Sequence, residues 1–260
     1  MSTDNDWEKW GATDPYFGVL SSEKFRKNKL NESVKKEFFE SGVAHVEKVF
    51  KLISDNFHHE YKPKRALDFG CGVGRLALPL AARTDQTVGV DISKSMLAEA
   101  SSNARSAGIS NIEFVLSDDG FTKLKGQFDL IHSYIVLQHI KWSRGRKILQ
   151  QLADRVSPGG YLVVHLFASS KVSVAVRAAV RLRYLIPPLN WLRNILKRRP
   201  IFEPAMQLHI YNIDKIMSDL KERGFDEPIC CDEASMDEFE GVFLLAQRKL
   251  TTSALQSPQG

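Results

Sequence analysis

Three acidic residues and a run of glycines are spaced so that they could hold a nucleoside-type ligand. Asp68 precedes Gly70, Gly72 and Gly74, Asp91 closes a second apolar run, and Asp118 follows a third. Glycines lack the Cβ that would keep a ligand off the backbone. The helix expected next offers free N–H groups and the positive end of its dipole. A carboxylate where Asp91 ends its strand can accept bonds from both ribose hydroxyls, and Asp118 can accept one from an adenine amino group. Further on, Tyr134, Gln138, His139 and Trp142 fall together, and His209 and Tyr211 form a later pair. Histidine takes a proton from a hydroxyl near neutral pH, which makes His139 the first candidate for a general base. Its alternative role is to shape a pocket. His209 and Tyr211 are expected to close the acceptor pocket, and His132 reads as structural. Cys71, between loop glycines, reads as a packing residue. The scattered histidines lack metal-ligand spacing, so no metal is expected.

The glycine spacing bears on which ligand. A dinucleotide fold wants G-x-G-x-x-G, with pyrophosphate over the helix N-terminus. Here the pattern is Gly70-x-Gly72-x-Gly74 behind Asp68. An anion is poorly placed beside a pyrophosphate and well placed for the ammonium of a methionine-type tail. An NAD-dependent dehydrogenase is disfavoured on this ground.

The elements that would position these groups alternate in type. Short apolar runs at 66–69, 87–90, 112–116, 128–133 and 161–167 read as strands. Helices are expected at 76–82, 93–107 (with Ser93 as N-cap and Gly108 as stop) and 144–156, with a tight turn at Ser157-Pro158-Gly159-Gly160. Such alternation predicts an α/β fold with a parallel sheet covered on both faces. A helix at 213–223 and two closing strands at 228–231 and 241–247 form an antiparallel edge. Upstream, Phe39, Val43, Val46, Phe50, Ile53 and Phe57 make one apolar stripe on a helix over 31–57. His45, His58 and His59 read as surface or structural. The leader before that helix is irregular and carries Trp7, Trp10, Tyr16 and Phe17, either a clamp on the domain or a lid over the site.

Residues Ala66–Gly74, Val88–Ser93, Phe114–Asp118, Phe128–Ile140 and Ser157–Val164 together resemble, in order, the motifs of a class I S-adenosylmethionine-dependent methyltransferase. The resemblance spans about 65–167 and returns at 213–249. It implies a Rossmann-like, seven-stranded, mostly parallel sheet with an antiparallel last strand, helices on both faces, a helical N-terminal leader and a helical insertion after strand five. It implies that S-adenosyl-L-methionine is the cofactor. Asp68, Gly70, Cys71, Gly72, Gly74 and Arg75 would surround its methionine part. Asp91 would hold the ribose, Ile92 and Met96 flank the adenine, Asp118 read its amino group, and Ser133 lie beside the transferable methyl. The expected organisation is a lid and helix over 1–60, a core over 61–168, a basic helical cap over 169–208, the rest of the core over 209–250, and a disordered tail over 251–260.

The 260 residues can bury a full core, and the net charge of +5 is too modest to imply a nucleic-acid partner. Its distribution is more telling. From Arg155 to Phe202 there is no Asp or Glu, whereas Lys171, Arg177, Arg181, Arg183, Arg193, Lys197, Arg198 and Arg199 all fall there. On a helical wheel Leu189, Trp191, Leu192, Ile195 and Leu196 share one arc, and Asn190, Arg193, Asn194 and Lys197 another. Three readings stand: a cap shaping the acceptor pocket, an amphipathic contact of 171–200 with an anionic membrane face, or a phosphate-recognising surface, with RNA last because no RNA-binding module accompanies it. The leader around 13–20 resembles bacterial methyltransferases of polysaccharide and glycolipid synthesis. That points to a hydroxyl acceptor, saccharide or lipid-linked, with methyl transfer to protein or RNA, or a non-catalytic cofactor-binding scaffold, as alternatives. Three cysteines without a paired framework, no signal-peptide core and no long apolar run lead to an expected cytoplasmic location, with peripheral contact at the inner membrane face.

Overall fold

The computed structural model describes residues 3–57, 60–233 and 238–250. His58, His59 and the expected disordered tail at 251–260 lie outside the described residues. Seven strands form one sheet: β1 (Arg65–Phe69), β2 (Gln86–Asp91), β3 (Ile112–Leu116), β4 (Phe128–Ser133), β5 (Val156–Ser170), β6 (Ile229–Asp232) and β7 (Phe239–Gln247). Their order is β3-β2-β1-β4-β5-β7-β6. The first five pair in parallel, and β7 runs antiparallel between β5 and β6. The sheet order reverses between β1 and β4, which opens a crevice at the carboxyl ends of the strands. Residues 157–160 join β5 instead of forming a separate turn; the pairing with β4 shifts register there, so the strand absorbs them as an irregular start.

Helices cover both faces. On one, α6 (Trp142–Asp154) and α9 (Ile213–Glu222) bury Ile148, Leu149, Leu152, Ile216 and Leu220 against Leu67, Phe69, Val88 and Val164. On the other, α3 (Glu32–Phe57) lays Val46, Val49 and Ile53 on Ala66, Leu130, Val163 and Phe243. The short α4 (Ala77–Ala81) and α5 (Lys94–Ser106) complete that face, with Ser93 accepting from the Met96 N–H as N-cap. The buried side of α3 is Phe38, Gly42, His45, Val46, Val49 and Ile53, one residue away from the expected stripe, and Val43 is exposed. Gly42 and His45 decide this. A Cβ at Gly42 would come within 2.1 Å of the Arg75 carbonyl, and His45 bonds His132.

The leader is helical and packed, not irregular: α1 (Thr3–Thr13) and α2 (Pro15–Val19) lead into a single turn at Glu23–Phe25. Trp10, Tyr16 and Phe17 are buried with Phe25, Phe38, Val73 and Met96. The Tyr16 hydroxyl donates to Glu99 at 2.6 Å, and Asn103 donates from its amide to the Val73 carbonyl at 3.0 Å. Leader, α5 and glycine loop are thereby one unit. The insertion holds α7 (Val174–Leu185) and α8 (Pro187–Leu196).

Candidate functional site

The loop from β1 to α4 is shaped by its glycines. Gly70, Gly72 and Gly74 all take positive φ, 76°, 53° and 89°. At Gly70 a Cβ would meet Val136 at 2.4 Å, and at Gly72 it would meet Val19 at 2.5 Å, so any side chain there would fill the space beside the loop. The loop N–H groups are spent inside the protein. Gly70 and Cys71 donate to the Val90 carbonyl, and Gly72 donates to Asp91 Oδ2 at 2.9 Å. The helix that follows has only five residues, with Pro79 inside it, so its dipole contributes little.

Beside this loop lies a cleft of about 110 Å³, walled by the loop, the end of β2 and the leader. Of the expected cofactor residues, Gly70, Gly72, Asp91, Ile92, Met96 and Asp118 line it, together with His139. Asp91 accepts from the backbone N–H groups of Gly72 at Oδ2 and Ser93 at Oδ1, both at 2.9 Å, with the Ile92 N–H also bonding to it, and it lines the cleft. Burial lifts its pKa to about 6 against those bonds. Asp118 accepts from Thr122 Oγ1 and from the N–H groups of Gly120 and Thr122, which hold it below the usual carboxylate range. It therefore also closes its own loop.

Other expected residues lie elsewhere, for reasons of strand alternation and packing. Asp68 is turned to the α3 side, where its Oδ1 accepts from His132 Nδ1 at 3.2 Å and His45 continues the chain at 3.1 Å. Its Oδ2 is buried without a hydrogen bond. Arg75 is buried on that same side, with its guanidinium 5.8 Å from the Tyr134 ring. Ser133 ties strands, its hydroxyl donating to the Phe69 carbonyl at 3.0 Å, and Tyr134 and Ile135 line the cleft in its place. Cys71 packs with Ala77 and Leu97, its thiol pushed up by burial. Gly74 stands back from the cleft, in contact with Leu78 and Ala100.

His139 sits at the rim, buried to 8% exposure. Its Nδ1 lies 2.9 Å from the Gln207 carbonyl. A carbonyl can only accept, so Nδ1 carries the proton and Nε2 carries the lone pair. Burial lowers the pKa to about 4, so the ring is neutral at physiological pH. His209 anchors the segment that supplies this carbonyl, donating its backbone N–H to Gln138 at 2.7 Å, but it does not line the cleft. Tyr211 is a core residue: its hydroxyl donates to the Leu137 and Ile140 carbonyls. Neither closes the pocket as expected, because the chain re-enters the core there and spends its polar groups on holding the 137–140 turn.

Trp7 belongs to the leader expected as a clamp or a lid, whereas Asp4, Glu8, Asp119 and Ile135 beside the cleft are not singled out by the sequence. Trp7 of α1 stands edge-on to His139 at 5.0 Å, and Asp4 and Asp119 grip Arg144 from two sides at 2.7 and 2.6 Å. Glu8 accepts from Ser93 and Ser95 at the start of α5. Ile135, just past β4, takes φ 59°, strained for a β-branched residue, and lines the cleft. Only the density of aromatics in the leader hinted at this.

Residues 66–160 match the family of methyltransferase domains. Over these residues the chain is similar to methyltransferase domains, and its seven-stranded sheet is of the Rossmann-like kind. Among curated relatives, a ubiquinone biosynthesis O-methyltransferase of Rhizobium johnstonii is 30% identical over 145 residues, 55% of this chain and 58% of that protein. A 23S rRNA (uracil(1939)-C(5))-methyltransferase of Aeromonas hydrophila is 29% identical over 126 residues, 40% of this chain and 29% of that one. The chain thus spans less than two thirds of the length of either. The fold is shared with magnesium protoporphyrin IX methyltransferase from Synechocystis with bound SAM, at TM-score 0.61 and 18% identity over 96% of this chain and 98% of the other. It is also shared with the N-methyltransferase NodS of Bradyrhizobium japonicum, at TM-score 0.58 and 15% identity over 95% and 99%.

Proposed function

We propose that this methyltransferase domain moves a methyl group from S-adenosylmethionine to a hydroxyl of a saccharide, a glycolipid or another small acceptor, with His139 as general base. The carrying observation is the fixed tautomer of His139 at the rim of the glycine-loop cleft. When bound, the cofactor supplies a methyl already activated as a sulfonium. The protein then has to align the acceptor, exclude water and remove one proton. Asp91 takes the ribose hydroxyls, Asp118 the adenine amino group, and Ile92 and Met96 the adenine faces. Trp7 and the rest of α1 cover the cleft. His139 would accept the proton of the acceptor hydroxyl at Nε2 and pass it to water. The O-methyltransferase among the relatives supports an oxygen acceptor.

The second part of the reading concerns location. Residues 171–200 are proposed to rest on an anionic lipid surface, since their cations are unopposed in sequence and α8 turns apolar side chains outward. Among the described residues no helix is long and apolar enough to cross a membrane. Labelled-methyl transfer into a fractionated cell extract tests the reaction. Label in an alkali-stable glycan or lipid fraction is expected. Label confined to RNA or protein, or cofactor binding with no label anywhere, contradicts it. Vesicle flotation with and without residues 171–200 tests the location, and equal recovery with lipid removes it.

A further inference from the structure

Glu203 is the sole carboxylate between Asp154 and Asp214 in the sequence, and four arginines gather round it. Arg26 reaches it from the leader at 2.7 Å, and Arg199 from the turn after α8 at 3.3 Å. Arg183 of α7 lines the same small hollow as Glu203, and Arg193 of α8 is close enough to interact with Glu203, Arg183 and Arg199 together. The backbone is bent to bring them in. Asn190 and Asn194 donate their amides to the Glu203 carbonyl, both at 2.9 Å, so the polar arc of α8 turns inward. Arg198 takes φ 54° at the end of α8, a left-handed turn that glycine usually makes, and the Arg199 N–H returns to the Asn194 carbonyl at 2.8 Å. That turn keeps Arg199 against Glu203.

The charges do not balance. Arg26 is also paired with Asp14 at 3.2 Å, and Arg199 uses the other oxygen of Glu203. Among the described residues neither Arg183 nor Arg193 has a carboxylate within ion-pair distance. Both are half-buried, and burial, then Arg183 and Arg199, lower the pKa of Arg193. Two partly desolvated guanidiniums in one neighbourhood are unfavourable unless an anion joins them. A phosphomonoester carries a charge of about −1.5 to −2 at neutral pH and offers three strong acceptor oxygens, which matches this surplus. Guanidiniums grip such oxygens with two parallel bonds.

The hollow that Arg183 shares with Trp191 and Phe202 is only about 40 Å³, so the anion belongs on the open surface at its rim. That rim is apolar. Trp191 and Phe202 meet edge to face at 5.5 Å, and Phe202 and Leu196 are 71% and 76% exposed. Apart from Val43 and Leu250, every exposed large apolar side chain among the described residues lies within 176–208. A free phosphate leaves these side chains in water, whereas the chains of a lipid cover them. We infer that Arg183, Arg193 and Arg199 form a seat for a phosphomonoester headgroup at a lipid surface, with Trp191, Leu196 and Phe202 entering the chains beside it. The inference rests on the proposed lipid contact of 171–200 and names the group which that contact recognises.

The test is flotation of the full chain, saturated with S-adenosylhomocysteine, with phosphatidylcholine vesicles carrying either phosphatidic acid or, at equal surface charge, phosphatidylglycerol. Half-maximal recovery is expected at about tenfold less lipid with phosphatidic acid. Arg183→Gln with Arg193→Gln should remove that preference and leave S-adenosylhomocysteine affinity as in wild type. Arg177→Gln with Arg181→Gln takes the same charge from exposed positions of α7; it should weaken binding to both vesicles alike and keep the preference. Equal recovery of the wild type with the two vesicles overturns the inference and leaves the lipid contact standing. So does a preference that the first pair of substitutions keeps, or that the second pair also removes. Recovery with neither vesicle sinks the lipid contact and the inference with it, and glycerol phosphate binding that the first pair abolishes would then assign the seat to a soluble ligand.

Discussion

Asp91 is the residue whose charge the cofactor should sense most directly. Burial raises its pKa to about 6, so a modest fall in pH protonates the oxygens proposed to hold the ribose hydroxyls. Affinity for S-adenosylhomocysteine should therefore fall as pH drops through about 6, and Asp91→Asn should flatten that dependence at a lower affinity, about tenfold to a hundredfold weaker. Calorimetry over that range reads both. Tyr211 sets a different test. Removing its hydroxyl leaves the Leu137 and Ile140 carbonyls short of a buried donor. Tyr211→Phe should cost about 1–3 kcal/mol in denaturant unfolding with turnover per folded molecule unchanged. Lost turnover with unchanged stability would return Tyr211 to the acceptor pocket. Gly70, Gly72, Asp91 and Asp118 line the cleft as expected from the sequence, because their positions follow from strand ends. Asp68 and Ser133 do not line the cleft because which way a side chain alternates out of a short strand is set by the helix packed on it, and Arg75, in the turn after β1, is drawn to Ser41 of α3.

At the scale of elements, α3 and α8 share one lesson. In each, periodicity located the helix without settling its inner face: the stripe expected on α3 is only partly the buried one, and the sequence leaves the two arcs of α8 unassigned. Buried polar partners did the choosing: His132 and the Arg75 carbonyl for α3, the 201–203 carbonyls for α8. Gly42→Ala tests the first, since the added Cβ meets backbone and not a flexible side-chain tip. A loss of about 1–3 kcal/mol is expected, and a neutral or stabilising effect would show that α3 sits further from the loop. The leader is an element that sequence resolved only as a cluster of aromatics. Its contacts reach the core through Arg144, Glu8, Tyr16 and Arg26, long-range pairings that no local pattern carries. Arg144→Ala should loosen α1 without unfolding the sheet, seen as faster amide exchange over 3–13 and a higher KM for the cofactor. Unchanged exchange there would mean that the aromatic cluster alone holds the roof.

For the whole molecule, three buried histidines set the response to acid. Burial lowers His139 and His165 to about 4, and His45 further still. Unfolded, each would titrate near 6.5. Between about 6.5 and 4 the unfolded chain binds more protons, so stability is complete above that window and is lost as pH falls through it. Asp91 and Asp6 act in the opposite sense, since a raised pKa lets the folded state take a proton before the unfolded one, but they are two groups against three. Melting temperature should fall steadily from about pH 7 to 5. A flat profile would mean that these histidines are hydrated in the folded protein.

The proposal as a whole turns on His139, held neutral by burial and by its Nδ1 bond to Gln207 among the residues that line the cleft. The most direct measurement is the rate of labelled-methyl incorporation by His139→Ala at saturating S-adenosylmethionine, set against its affinity for S-adenosylhomocysteine. A rate lower by about 10²–10⁴-fold with affinity unchanged is the expected result. Incorporation at the wild-type rate would contradict it.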